Sequence, residues 1–108
     1  MNRLIIKPGV VLPTMFYEPV LRIPSVVCKH YWAAGDPVVR LTSGIEGEHG
    51  MDSYHYQMCA FDFDQVKPKK STDVQRVYQA IRVELGPEYD VVVEGDHLHV
   101  EWNKKRPL

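Results

Sequence analysis

The sequence predicts an α+β domain: a small, mostly antiparallel sheet packed by two or three helices. Three observations carry that prediction. Residues 71 to 86, "STDVQRVYQAIRVELG", place Val74, Val77, Tyr78, Ile81 and Leu85 at helical spacing. Short runs rich in β-branched and aromatic residues stand on both sides of it, "PVVRLTS" and "CAFDFD" before and "YDVVVEG" and "HLHVEW" after. The order, helical then strand, strand, helix, strand, strand, is that of an α+β chain.

Taken from the N-terminus, "RLIIK" is a candidate strand, and Pro8, Pro13 and Pro19 punctuate the segment after it. Residues 15 to 34 look helical in two pieces, because Pro24 removes a backbone donor and Ser25 suits a new start. Val27, His30, Tyr31 and Ala34 fall on one face, and Gly35 with Asp36-Pro37 ends the segment. A glycine-rich acidic loop, "GIEGEHGMD", separates the two central strands. "QVKPKK" reads as an exposed connection with a solvated basic run. Ser71 or Thr72 suits the cap of the long helix, and Gly86-Pro87 its end. The final stretch is either two strands with little loop or one long strand bulged at Gly95. Phe61 and Phe63 alternate with Asp62 and Asp64, so the phenylalanines are expected to fill the core.

The 108 residues fit a single domain, residues 1 to 108. Thirteen basic and fourteen acidic residues nearly cancel, which speaks against nucleic acid or a membrane surface as partner. Cys28 and Cys59 are expected to be buried thiols rather than a disulfide framework. The opening "MNRLIIKPGVVLP" has no signal-peptide h-region and no run reaches the length of a membrane span, so a cytoplasmic location as synthesised is expected.

Metal-binding side chains concentrate in "SYHYQMCAFD", with His55 and Asp62, and in "DHLH", with His97 and His99. The helix between them would return the chain so that the two strands lie side by side. Imidazole and carboxylate suit zinc, and three such ligands with an open position make a catalytic rather than a structural site. Manganese, iron or cobalt suit the same ligand types. His30 is expected to be a packed or half-exposed helix histidine, and Tyr54, Tyr56 and Trp102 to line either a cleft or the core.

These segments resemble the zinc peptidases of the D-alanyl-D-alanine carboxypeptidase type, which share a fold core with lysostaphin-type endopeptidases and the hedgehog signalling domain. The family pattern is Ser-x-His, then Gly-x-Ala-x-Asp, then a distal acid-x-x-His. Ser53, His55, Ala60 and Asp62 match the first part, and Asp96 with His99 the second. "VVRLTSG" and "LGPEYDVVVEGDHLHVEW" are similar to the flanking strands of small, phage-associated members, and the likeness runs from about residue 20 to 103. The resemblance implies an enzyme, phage or prophage encoded, that cuts peptide bonds of the bacterial peptidoglycan stem peptide; a monomer is expected, and the lack of a signal peptide fits an enzyme that reaches the wall after release. It implies zinc on His55, Asp62 and His99, and Asp96 as general base, with Glu94 competing for that role. Strict strand alternation would put Asp96 opposite His99, so the assignment requires a bulge or turn near Gly95. His97 would stabilise the oxyanion or assist proton transfer, and Ser53 would bind substrate.

The chain departs from the pattern at Met58, which stands where the family has glycine, and in "SGIEGEH", which lacks the family's carboxylate-clasping arginine. Arg40 and His49 are the remaining candidates for substrate contact. Without the clasp, an endopeptidase fits as well as a carboxypeptidase. The other expectations are a metal-binding structural or interaction domain that lost catalysis, and a zinc hydrolase acting on another peptide or amide.

Overall fold

A computed structural model describes residues 1–13, 15–44, 59–69 and 73–103. Among the described residues, five strands and two helices occur in the order β1 (Arg3–Ile6), α1 (Glu18–Ala33), β2 (Val38–Ser43), β3 (Ala60–Asp64), α2 (Val74–Leu85), β4 (Tyr89–Glu94) and β5 (His97–Trp102). The sheet order is β1-β2-β3-β5-β4. β1 runs parallel to β2, as its connection through α1 permits, and the other three pairings are antiparallel. The expected α+β class with a mostly antiparallel sheet is what forms.

Alternation along the strands sorts the sheet into two faces. Val39, Leu41, Phe61, Phe63, Val91, Leu98 and Val100 are buried in one cluster with Val20, Ile23, Val27 and Tyr31 of α1 and Val77, Tyr78, Ile81 and Leu85 of α2. The other face carries the intervening polar residues of β2, β3, β5 and β4. Phe61 and Phe63 therefore fill the core as their spacing predicts, leaving Asp62 and Asp64 on the opposite side.

α1 is one helix, not two pieces. Pro24 lies inside it, and the segment 15–17 precedes it, with Pro19 in the first turn where a missing N–H costs nothing. An interior proline costs about 3 kcal/mol. Val20, Ile23 and Val27 are all fully buried on either side of Pro24, and apolar burial of about 1.5–3 kcal/mol per side chain outweighs that cost. Phe16 and Tyr17, ahead of the helix, pack on Phe61 and Trp102. Trp102 is thus a packing residue, while Tyr54 and Tyr56 lie outside the described residues.

Buried polar groups lock the turns. Asp36, nearly fully buried, accepts from the backbone N–H of Val38 (3.3 Å) and of Lys67 (2.9 Å), which ties the α1–β2 turn to the chain leaving β3. Tyr31 Oη donates to the carbonyl of Asp64 (2.7 Å), and Tyr78 Oη accepts from the N–H of Val66 (3.1 Å). Val66 is buried, and among the described residues of "QVKPKK" only Lys67 and Lys69 are exposed, so the run is not exposed along its length. Gly35 has φ +90°, and a Cβ there would stand 2.6 Å from Lys69 Cβ, so this turn accepts no side chain.

α2 begins at Val74, capped by Asp73, whose carboxylate accepts from the N–H of Gln75 (2.9 Å). The expected caps Ser71 and Thr72 lie outside the described residues. His30 is packed as expected, with Nε2 2.8 Å from Glu84 Oε1, which Lys29 Nζ also reaches at 2.9 Å. That lysine contact first, and the histidine second, hold Glu84 below the usual carboxylate range. Cys28 and Cys59 are both buried, and burial pushes the Cys28 thiol up to about 11.

β4 and β5 form a hairpin, resolving the choice between two strands and one. Gly95, at φ +48°, and Asp96 make its two-residue turn, and Glu94 faces His97 across it. Leu98 lies between the two histidines of β5 and is fully buried. Leu98→Ala is expected to cost about 2–5 kcal/mol in urea unfolding. A loss below about 1 kcal/mol would show that β5 is not anchored through this side chain.

Candidate metal centre

The β3–β5 register fixes which polar side chains meet. Asp62 is paired with His99, and Asp64 with His97. Strand spacing then places His97, His99 and Glu101 in a row on the open face of β5. The α2 crossover thus brings "CAFDFD" and "HLHVEW" side by side, as the sequence predicts, and a direct contact results. His99 Nδ1 lies 2.8 Å from Asp62 Oδ1. His99 Nε2 lies 2.9 Å from Glu101 Oε1. All three side chains are only about 15% exposed.

A carboxylate only accepts hydrogen bonds, so both contacts are satisfied at once only when both ring nitrogens carry a proton. Burial by itself would lower the pKa of His99, but its hydrogen bonds to Asp62 and Glu101 outweigh it and raise the value from 6.5 to about 9. When His99 is a neutral imidazole, one nitrogen lone pair faces a carboxylate. A cation at that point, either a proton or a metal ion, removes the repulsion.

The other oxygen of Asp62, Oδ2, is 3.7 Å from His97 Nε2. The far nitrogen of His97, Nδ1, is 3.1 Å from Asp96 Oδ1. Asp96 sits in the hairpin turn, the turn its assignment required, with a fully exposed side chain. The hydrogen bond to His97 is the largest cause holding its carboxyl below the usual range. Glu94 is exposed on β4 opposite His97. Arg40 shares the open face, with Nη1 3.7 Å from Asp64 Oδ2, an ion pair rather than a free substrate clasp.

The structure therefore brings together Asp62, His97 and His99, with Asp96 behind His97, Glu94 across from it and Arg40 further along on β2. His55, Ser53 and His49 lie outside the described residues, on the segment between Gly44 and Cys59 that joins β2 to β3. Among the described residues no three ligand side chains form a metal-holding group. Asp62 and His99 are two of the three ligands that the sequence nominates. Zinc takes nitrogen and oxygen at about 2.0–2.2 Å, so two tetrahedral ligands stand about 3.3 Å apart. The 2.8 Å between Asp62 Oδ1 and His99 Nδ1 needs only a small side-chain adjustment to reach that. Nitrogen and carboxylate oxygen are also the right donor types.

Glu101 is the residue that sequence reasoning missed. Its signal was present: in "HLHVEW" it stands two places after His99, hence on the same strand face.

Comparison with family models, curated proteins and solved structures finds no match.

The raised pKa of His99 has a measurable consequence. A folded-state value above the unfolded 6.5 means that its stabilisation is complete below pH 6.5 and is lost as pH rises through about 9. With metal removed by a chelator, urea unfolding should show stability falling over that window, and Asp62→Asn should flatten the fall. A His99 ring that titrates near 6.5 by NMR would contradict the double hydrogen bond.

Proposed function

We propose that this domain is a zinc-dependent peptidase acting on peptide bonds of bacterial peptidoglycan. The observation that supports it best is the buried pairing of Asp62 and His99, which puts nitrogen and oxygen donors 2.8 Å apart at a point that calls for a cation. Asp62 and His99 would hold the metal, with His55 as the third ligand matched by the motif. When bound, zinc supplies a water of near-neutral pKa and polarises a peptide carbonyl.

The protein's own groups then divide the remaining work. Asp96 accepts from His97 Nδ1 and turns His97 Nε2 toward Asp62. Asp96 and His97 act as one proton-handling pair, His97 exchanging the proton and Asp96 orienting the ring. Glu94, exposed across the hairpin from His97, is the second carboxylate available for the base role. Arg40 holds Asp64 and shapes the rim on the β2 side.

A second reading has one observation in its favour. Asp96 is fully exposed and its pKa is lowered, the reverse of the upward tuning that suits a general base. The same fold would then be a non-catalytic metal-binding or interaction domain.

Two measurements decide between them. Purified protein should carry about one zinc per chain, as a single three-ligand site requires, and His55→Ala, Asp62→Ala and His99→Ala should each abolish it. Zinc retained in all three variants would sink the site. Incubation with purified peptidoglycan should release new amino termini in a zinc-dependent way. His97→Ala should slow release by about 10²–10⁴-fold while keeping the metal. Metal binding without release from any wall type would leave the non-catalytic reading.

A further inference from the structure

Both ring nitrogens of His99 face carboxylates, Nδ1 toward Asp62 at 2.8 Å and Nε2 toward Glu101 at 2.9 Å. A metal replaces only one of the two protons, so one carboxylate becomes a ligand partner and the other keeps an N–H. The two sides differ in what surrounds them. On the Nδ1 side, Asp62 has a second oxygen 3.7 Å from His97 Nε2, the ring given the proton-handling role above. On the Nε2 side, Glu101 faces Ala60 and Asp90 across the sheet, so its flanking strands offer it no imidazole.

We propose that Glu101 is the positioning carboxylate of this site. It accepts the Nε2–H of His99, fixes the ring orientation and thereby dedicates Nδ1 to the metal. A histidine ligand whose second nitrogen is bound to a carboxylate is a stronger and better-ordered donor. Glu101 is well placed for this because it shares strand β5 with His99, so a single rigid backbone sets their separation. Its side chain is only 15% exposed, which limits competition from water. Glu101 has this role only if Asp62 and His99 hold a metal, as proposed above.

The test uses the full chain and zinc alone, in competition with a chromophoric chelator, for wild type, Glu101→Gln, Glu101→Ala and Asp62→Ala. Glu101→Ala should bind zinc about 10- to 100-fold more weakly. Glu101→Gln keeps an acceptor for the Nε2–H and should recover most of that loss. Asp62→Ala should bind no zinc at the site. Long-range ¹H–¹⁵N spectra of the zinc form should show His99 protonated at Nε2 in wild type and in Glu101→Gln. Unchanged affinity in Glu101→Ala would overturn the role of Glu101 and leave the metal site standing. Zinc lost in Glu101→Ala but kept in Asp62→Ala, with the proton on Nδ1, would overturn the assignment of the two sides. Wild-type protein that takes up no zinc would overturn both the metal site and the role of Glu101. Unaltered backbone dispersion of Glu101→Gln guards against a folding defect.

Discussion

Antiparallel pairing of β3 with β5 is the constraint on which the rest of this structure depends. Phe61 and Phe63 on one strand, and Leu98 and Val100 on the other, are buried against both helices. Because side chains alternate, burying those four side chains sends Asp62, His97, His99 and Glu101 to the opposite face. A slip of β5 by one residue would bury the histidines and expose Leu98 and Val100, at a cost of several kcal/mol. The same apolar burial that stabilises the sheet therefore sets Asp62 beside His99.

The scaffold around this pair is built to hold β3 in place. Tyr31 binds the carbonyl of Asp64 at the end of β3, Tyr78 binds the N–H of Val66 just beyond it, and Asp36 binds the N–H of Lys67. These bonds come from α1, from α2 and from the α1–β2 turn, so displacement of β3 would leave buried polar groups without partners on three elements. α1 in turn stays continuous through Pro24 because its buried face spans the proline.

Electrostatics then act on a site whose geometry is already fixed. Two carboxylates around one imidazole leave a net negative charge when His99 is protonated, in a place with little access to water. Such a site favours a proton or a metal cation, and the two compete for Nδ1. A metal bound at Nδ1, as proposed, would release a proton and bind more tightly as pH rises. His97 stands apart from this competition, its near nitrogen toward Asp62 and its far nitrogen held by Asp96.

Much of the fold was legible in the sequence. Periodicity located α2 and the central strands, and the alternation "AFDFD" told which side chains face the core. The single-piece α1 was not legible, because a local rule about proline cannot weigh burial that is contributed by α2 and the sheet. Asp96 and His99 were legible as members of a motif, but whether Asp96 could reach the site depended on the hairpin turn, which appears only once β4 folds back on β5. Glu101 was missed because the motif ends at His99. Its role comes from a contact of ring nitrogen with carboxylate, not from a spacing. By itself the sequence determined which residues are able to bind a cation and that Asp62, His97 and His99 lie on strand faces. Only the tertiary structure decided that His99 sits between Asp62 and Glu101 with both nitrogens engaged, because that depends on the register of two strands separated by a helix and on the apolar core that enforces it.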